Sequence, residues 1–221
     1  HYRYNRINRK LSNNTNMIAK YKLLIVASIV VFTIITCINP LYPEEQFLQH
    51  IGTALFVLLM LFDLKKNFLG AVSFTGLALF TILHIIGARY IYSYVPYDEF
   101  TKQLCGVSIN ELLSTTRNHY DRLVHFSFGL LLLPMFSQIA EKQMKCSKGA
   151  AIVTAWLLIQ TGSMIYELFE WLLTIVMTSE AANNYNGQQG DMWDAQKDMA
   201  LALLGSTFTA ILMSITKKHQ R

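Results

Sequence analysis

Three short stretches hold the residues whose types and spacing can do chemistry. In RNHYDRLVH, Arg117 to His125, an aspartate and a histidine stand four apart, Asp121 and His125, directly before the uncharged run Phe126 to Phe136. On a helix that spacing places carboxylate and imidazole on one face. The pair can serve as an acid–base dyad, as two metal ligands, or as a histidine oriented by its carboxylate. Glu167 and Glu170 are three apart late in another apolar run, with Ser163 and Tyr166 on the same side. Two carboxylates that close repel when both are ionised, so one keeps a proton unless a cation intervenes. Arg89, Arg117 and Arg122 are the cations at hand. Asp191, Asp194 and Asp198 fall at i, i+3 and i+7, one helical stripe. Asp191 is explained as a helix cap. Asp198 lies deeper and opens an uncharged run, so capping does not account for it. Three carboxylates suit a hard cation, although neither EF-hand nor zinc spacing is present. The bland reading of all three stretches is a buried ion-pair network that locks helices together.

The elements that must position these residues are apolar. Hydrophobic residues make up 52% of the 221 and charged residues 15%, below the quarter usual in soluble domains, and mean hydropathy is +0.30. Six runs approach the roughly 20 residues a spanning helix needs. They are read at Leu23 to Ile38, Phe47 to Phe62, Phe68 to Tyr92, His119 to Ile139, Gly149 to Met177, and from Asp191–Asp194 to just before Lys217. Asn39-Pro40, Asp63 to Asn67, Ser93 to Asn118, Glu141 to Lys148 and Ser179 to Gly190 separate them. The expected fold is all-α, a polytopic bundle of about six transmembrane helices forming one domain over residues 17–221. Met17 is read as the start, with 1–16 a disordered or non-native extension and no cleavable signal after it. Cys37, Cys105 and Cys146 have neither disulfide nor zinc spacing. The net charge of +5 sits at the ends of apolar runs rather than on a polar module, so no nucleic-acid partner is expected. Membrane lipids are the expected surroundings.

Charge bias orients the bundle. The N-terminal segment, the second-to-third turn, the fourth-to-fifth turn and the C-terminus hold 14 of the 19 Lys and Arg, which assigns both termini to the cytoplasm. The acids distribute oppositely, with only Asp63 and Glu141 on that side. His50, His84, Arg89, Asp121, His125, Glu167, Glu170, Asp194 and Asp198 then share one level near the outer face. Trp171, Trp193, Tyr90, Tyr92 and Tyr94 read as interfacial belt residues.

The blocks LHIIGARYIYSYVPYD (83–98), RNHYDRLVHFSFGLLL (117–132), YELFEW (166–171) and QGDMWDAQKDMALALLG (189–205) resemble the YjdF-type family of bacterial inner-membrane proteins, a family of unknown function. The resemblance runs from Ile18 to the last helix. The order Asp-x-x-x-His, Glu near a helix end, then Asp-x-x-x-Asp is also similar to the VanZ-like group, which is linked to glycopeptide resistance and more often has Asn where this chain has Asp198. These resemblances imply an inner-membrane location and a fold, and no established reaction. The leading functional expectation is a metal-assisted hydrolase or transferase for lipid or envelope-precursor headgroups. In it Asp121, His125, Glu167, Glu170 and Asp198 are catalytic. Arg89, Arg117, Arg122, Tyr97 and Asp194 hold the substrate, and His84, Asp121 and His125 hold a divalent metal. The alternatives are a proton- or cation-coupled transporter and a non-catalytic interaction protein.

The charge bias makes a direct prediction. Green fluorescent protein fused after Arg221 should fluoresce and alkaline phosphatase fused there should be inactive; the reverse pattern overturns the orientation.

Overall fold

An α-helix satisfies its backbone N–H and C=O groups within itself, so each apolar run can cross lipid as a complete helix, and punctuation between runs decides where it stops. The computed structural model describes residues 2–178 and 185–218, with side chains from 17 to 178 and from 185 to 216. Its helices are α1 (Tyr2–Thr36), α2 (Pro43–Lys66), α3 (Ala71–Arg89), α4 (Tyr97–Cys105), α5 (Ile109–Leu112), α6 (Tyr120–Met144), α7 (Lys148–Val176) and α8 (Asp194–Lys218). Six are long and apolar enough to cross a membrane: Met17–Thr36 within α1, α2, α3, α6, α7, and Asp194–Thr216 within α8. The all-α membrane architecture read from the sequence is the one observed. The helix of the first span continues back through the polar segment to Tyr2.

Local chemistry sets the ends. Pro43 opens α2, Glu44 and Glu45 lie in its first turn and Lys65 and Lys66 in its last, the order that complements the helix dipole. Asn67 closes it in the left-handed conformation (φ 45°), its N–H donating to the Asp63 carbonyl. Ser147 caps α7 by accepting from the Ala150 N–H. The third run is shorter than its apolar length, because Ile91 and Tyr92 turn into left-handed backbone (φ 42° and 57°). That turn throws the Tyr92 ring back against α3. A Cβ at Gly87 would lie 2.6 Å from the Tyr92 ring, so only glycine leaves it room. Tyr92, expected in the interfacial belt, is therefore a correction: it is buried. The long connection 93–118 folds into α4 and α5. Asp98 organises it, accepting from Ser108 Oγ at 2.9 Å and from the Asn110 N–H at 2.8 Å. The Asn110 bond, ahead of the other contacts, lowers the Asp98 pKa.

The packing is of two groups of three joined by one seam. Helices α1, α2 and α3 pack on each other, as do α6, α7 and α8, and α3 against α6 connects them. The α6–α8 approach is the closest: a Cβ at Gly129 would lie 2.1 Å from the Ala202 carbonyl oxygen, and one at Gly205 2.1 Å from that of Phe126. Small residues that bring backbones together are the usual means of association in lipid, where no hydrophobic force acts between helices.

One end of the first group is locked by a buried ion pair. Lys22 Nζ donates to Asp63 Oδ2 (2.7 Å), Asn67 Oδ1 (2.9 Å) and the Leu69 carbonyl (2.7 Å). Asp63 Oδ1 accepts from the Phe68 and Leu69 N–H groups at 2.9 and 2.7 Å. All three ammonium protons and both carboxylate oxygens are satisfied. Removing one charge alone should cost about 3–5 kcal/mol, while removing both charges and keeping an acceptor for the Phe68 and Leu69 N–H groups should cost far less. Lys22→Met should thus lower the unfolding midpoint in detergent sharply, and Lys22→Met/Asp63→Asn should recover most of it. A silent single variant overturns the lock.

Candidate functional site

The other end of the bundle collects the ionisable residues. Asp121 and His125 stand on the first turns of α6, Glu167 and Glu170 two turns from the end of α7, and Asp194 and Asp198 on the first turns of α8. Each of these six is at most 9% exposed. His125 Nε2 lies 3.5 Å from Glu167 Oε1 and 3.7 Å from Asp121 Oδ1. Asp198 closes the group: one donor atom each from Asp121, His125 and Asp198 lie within 4.8 Å of one another. Glu167 Oε1 and Asp198 Oδ1 are buried without a hydrogen-bond partner among the described residues.

The arginines take other carboxylates. Arg117 donates to Asp194 Oδ1 at 2.5 Å, to the Gly187 carbonyl at 3.3 Å and to the Gln188 carbonyl. Arg122 pairs with Asp191 (2.5 Å) and more distantly with Asp194 (3.5 Å). Lys197 also reaches Asp191, at 2.6 Å. Asp191 Oδ1 also accepts from the Trp193 N–H, which closes a turn just ahead of α8 instead of capping a helical N–H, a correction to its reading as a helix cap. Its bond from Lys197, first, then those from Trp193 and Arg122, hold its pKa well below the usual carboxylate range. Asn118 and Gln189 add a pair of bonds, Asn118 N–H to Gln189 Oε1 (2.9 Å) and Gln189 Nε2 to the Asn118 carbonyl (3.0 Å). Together these strap the segment before α8 onto the start of α6. Arg117 could have paired with Asp121 one turn on; it pairs across to α8 instead. Asp121, Glu167, Glu170 and Asp198 are left with no Lys or Arg ion pair among the described residues.

Two cavities meet at this cluster. One, of about 250 Å³, has apolar walls from Leu55, Phe56, Phe80, Val124 and Phe128, and ends on His84, Tyr92, Asp121, His125, Ser163 and Tyr166. It lies where α2 and α7 face each other without substantial packing. Leu55, on its α2 wall, is 56% exposed, so the cavity is continuous with the lipid-facing exterior. The other, of about 140 Å³, is polar and lies beneath the strapped segment, lined by Glu167, Glu170, Gln188, Asp191 and Asp194 among others. Glu167 and His125 form part of the partition between them.

Not every expected site residue joins. His84 lines the apolar cavity, but both ring nitrogens are engaged, Nδ1 with the Tyr92 hydroxyl (2.6 Å) and Nε2 with the Gln49 carbonyl (3.0 Å). It stands apart from the donor group that Asp198 completes. Tyr97 donates to Asn110 Oδ1 and accepts from the His119 N–H, which ties it into the α4–α5 connection. Arg89, partly buried, lines neither cavity, and its Nη1 has no partner among the described residues. His50 bonds Gln46 and Thr53 within α2. Sequence reasoning missed Tyr92 and the 187–189 carbonyls and amide. The signal for Tyr92 was Gly87, five residues earlier, where a small residue admits the returning ring.

The chain's residues 21–219 match a protein family described as "Predicted membrane protein (DUF2238)". It is 32% identical over 160 residues to "Inner membrane protein YjdF" of Escherichia coli (strain K12), a stretch covering 72% of each chain. No solved structure matches it.

His119, at the entry to α6, carries a pH prediction. Its Nε2 is buried without a partner among the described residues, and burial, then Arg122 and Arg117, lower its pKa from 6.5. A depressed histidine adds stability that is complete above 6.5 and is lost as pH falls through the folded value. The thermal midpoint in detergent should therefore fall more steeply between pH 7 and about pH 5 in the unmodified chain than in His119→Gln. Identical slopes would remove His119 as the cause.

Proposed function

The chain belongs to the DUF2238 family of predicted membrane proteins, and on that premise we propose that it binds a membrane amphiphile and acts on its headgroup as a hydrolase or transferase. The observation that carries this is the apolar cavity, open toward lipid between α2 and α7, that ends on buried Asp121 and His125. A chain-bearing molecule seated there would have its tail against Phe56, Phe80 and Phe128 and its polar junction at the acid–histidine cluster. The location proposed is a bacterial inner membrane, as printed for the Escherichia coli relative, with the charge bias turning the site to the outer leaflet.

The roles follow from the distances. His125 takes the proton of an attacking water or hydroxyl as that oxygen bonds to the headgroup's phosphoryl or acyl centre, and the ester bond to the leaving alcohol breaks. The imidazolium returns the proton to that alcohol, and Asp121 and Glu167, both within 3.7 Å of Nε2, stabilise the imidazolium meanwhile. Glu170 and Asp198 set the charge of that layer. Arg117 and Arg122 bind an anionic headgroup by exchanging an aspartate oxygen for a phosphate or carboxylate oxygen, which guanidinium accepts with the same fork geometry. Exclusion of water by the surrounding helices strengthens each of these interactions.

Two variants separate binding from chemistry. Gly162→Leu puts a side chain into the cavity, where a Cβ already lies 3.1 Å from the Phe128 ring. It should strip co-purified lipid, read by native mass spectrometry. His125→Ala should keep the lipid and lose turnover of a phospholipid-headgroup panel by about 100-fold or more. Full lipid retention in Gly162→Leu, or full turnover in His125→Ala, contradicts the proposal.

A further inference from the structure

The structure assigns a divalent transition-metal site to Asp121, His125 and Asp198, with Glu167 beside His125 at its edge. This site is the polar end of the cavity read above as a headgroup site; an ion held by His125 Nε2 takes the lone pair that accepts a proton in the ion-free chain, and metal binding is argued and tested without reference to any reaction.

Four observations converge. First, the donor atoms of Asp121, His125 and Asp198 already lie within 4.8 Å of one another, from two different helices, and all three residues are at least nine-tenths buried. Second, the spacings around His125 Nε2, 3.5 Å to Glu167 Oε1 and 3.7 Å to Asp121 Oδ1, are too long for hydrogen bonds. In a tetrahedral shell with bonds of about 2.0–2.1 Å, neighbouring donors stand about 3.3–3.4 Å apart, which the His125–Asp121 spacing approaches. Third, Glu167 Oε1 and Asp198 Oδ1 are buried with no donor turned toward them among the described residues. A buried carboxylate oxygen without a hydrogen bond is costly, and a cation is one group that satisfies it. Fourth, the local cations are committed elsewhere: Arg117 pairs with Asp194, and Arg122 with Asp191 and Asp194. The remaining acids lie in apolar helices where uncompensated charge is expensive.

The donor types choose the class of ion. Carboxylates alone would favour calcium or magnesium, whereas one imidazole with two carboxylates suits zinc or manganese. His84 is not a ligand here, because the Tyr92 hydroxyl and the Gln49 carbonyl occupy its two nitrogens.

The test uses the full chain, purified in detergent without chelator and freed of any affinity tag. Elemental analysis should find about one zinc or manganese per chain. After chelation, titration with Zn²⁺ or with Mn²⁺ should raise the thermal midpoint, and at saturation the rise should be reversed by chelator. Asp198→Asn should weaken that ion at least about 10-fold, and His84→Gln should bind it as the unmodified chain does. Should Asp198→Asn fail to fold, Asp121→Asn provides the same comparison. A chain that is metal-free and shows no shift with either ion overturns the site, as does undiminished binding in Asp198→Asn. Loss of the ion in folded His84→Gln overturns this ligand set. None of these outcomes bears on lipid retention in Gly162→Leu, so failure here and failure of the headgroup reading are told apart.

Discussion

A charge inside an apolar helix is tolerated only where something neutralises it, and this constraint shapes both ends of the bundle. At one end Lys22 and Asp63 meet with every proton and oxygen engaged by Asn67 and the 68–69 backbone. At the other, Asp121, Glu167 and Asp198 crowd around His125, with Glu170 buried one turn beyond Glu167, while the nearby arginines are drawn to Asp191 and Asp194. The first arrangement is complete and can be purely structural. The second is short of positive charge, and Glu167 Oε1 and Asp198 Oδ1 are buried without partners among the described residues.

The helix packing explains why the incomplete cluster is also reachable. Glycines at 129 and 205 draw α6 and α8 into backbone contact, so the residues they carry, Asp121, His125 and Asp198, are held at fixed separations. Helices α2 and α7 belong to different halves of the bundle and do not close on each other, which leaves the apolar cavity between them. Rigid support on one side and an opening on the other are what a binding site in lipid needs. The strapped segment before α8 then covers the polar side through Arg117, Arg122 and the Asn118–Gln189 pair.

Much of this was legible in the residues. Length and hydropathy of six runs gave the all-α membrane architecture, because a spanning helix depends on composition more than on tertiary context. Charges at the ends of five of those runs marked one level of the bundle, and Asp121, His125, Glu167, Asp194 and Asp198 do meet there. What was not legible depends on rotation about helix axes and on turns. Periodicity could not tell that Arg117 would face α8 rather than Asp121, or that Asp198 rather than His84 would complete the donor group. Tyr92 reads as a belt residue until the left-handed turn at Ile91 and Tyr92 folds it inward. Lys22 reads as a residue at the edge of its span, since nothing local shows that Asp63, 41 residues away, will meet it.

The central claim is that acids distant in the chain share one buried layer. The most direct measurement replaces Cys37, Cys105 and Cys146 with serine, introduces Asp121→Cys and Asp198→Cys together, and weighs the intact chain after mercuric ion and a wash with excess monothiol. The account predicts one mercury retained by the double variant and none by either single variant, because only two neighbouring thiols form a bridge that resists the wash. A double variant that gives up its mercury as readily as the single ones would place positions 121 and 198 apart, and the shared layer would not exist.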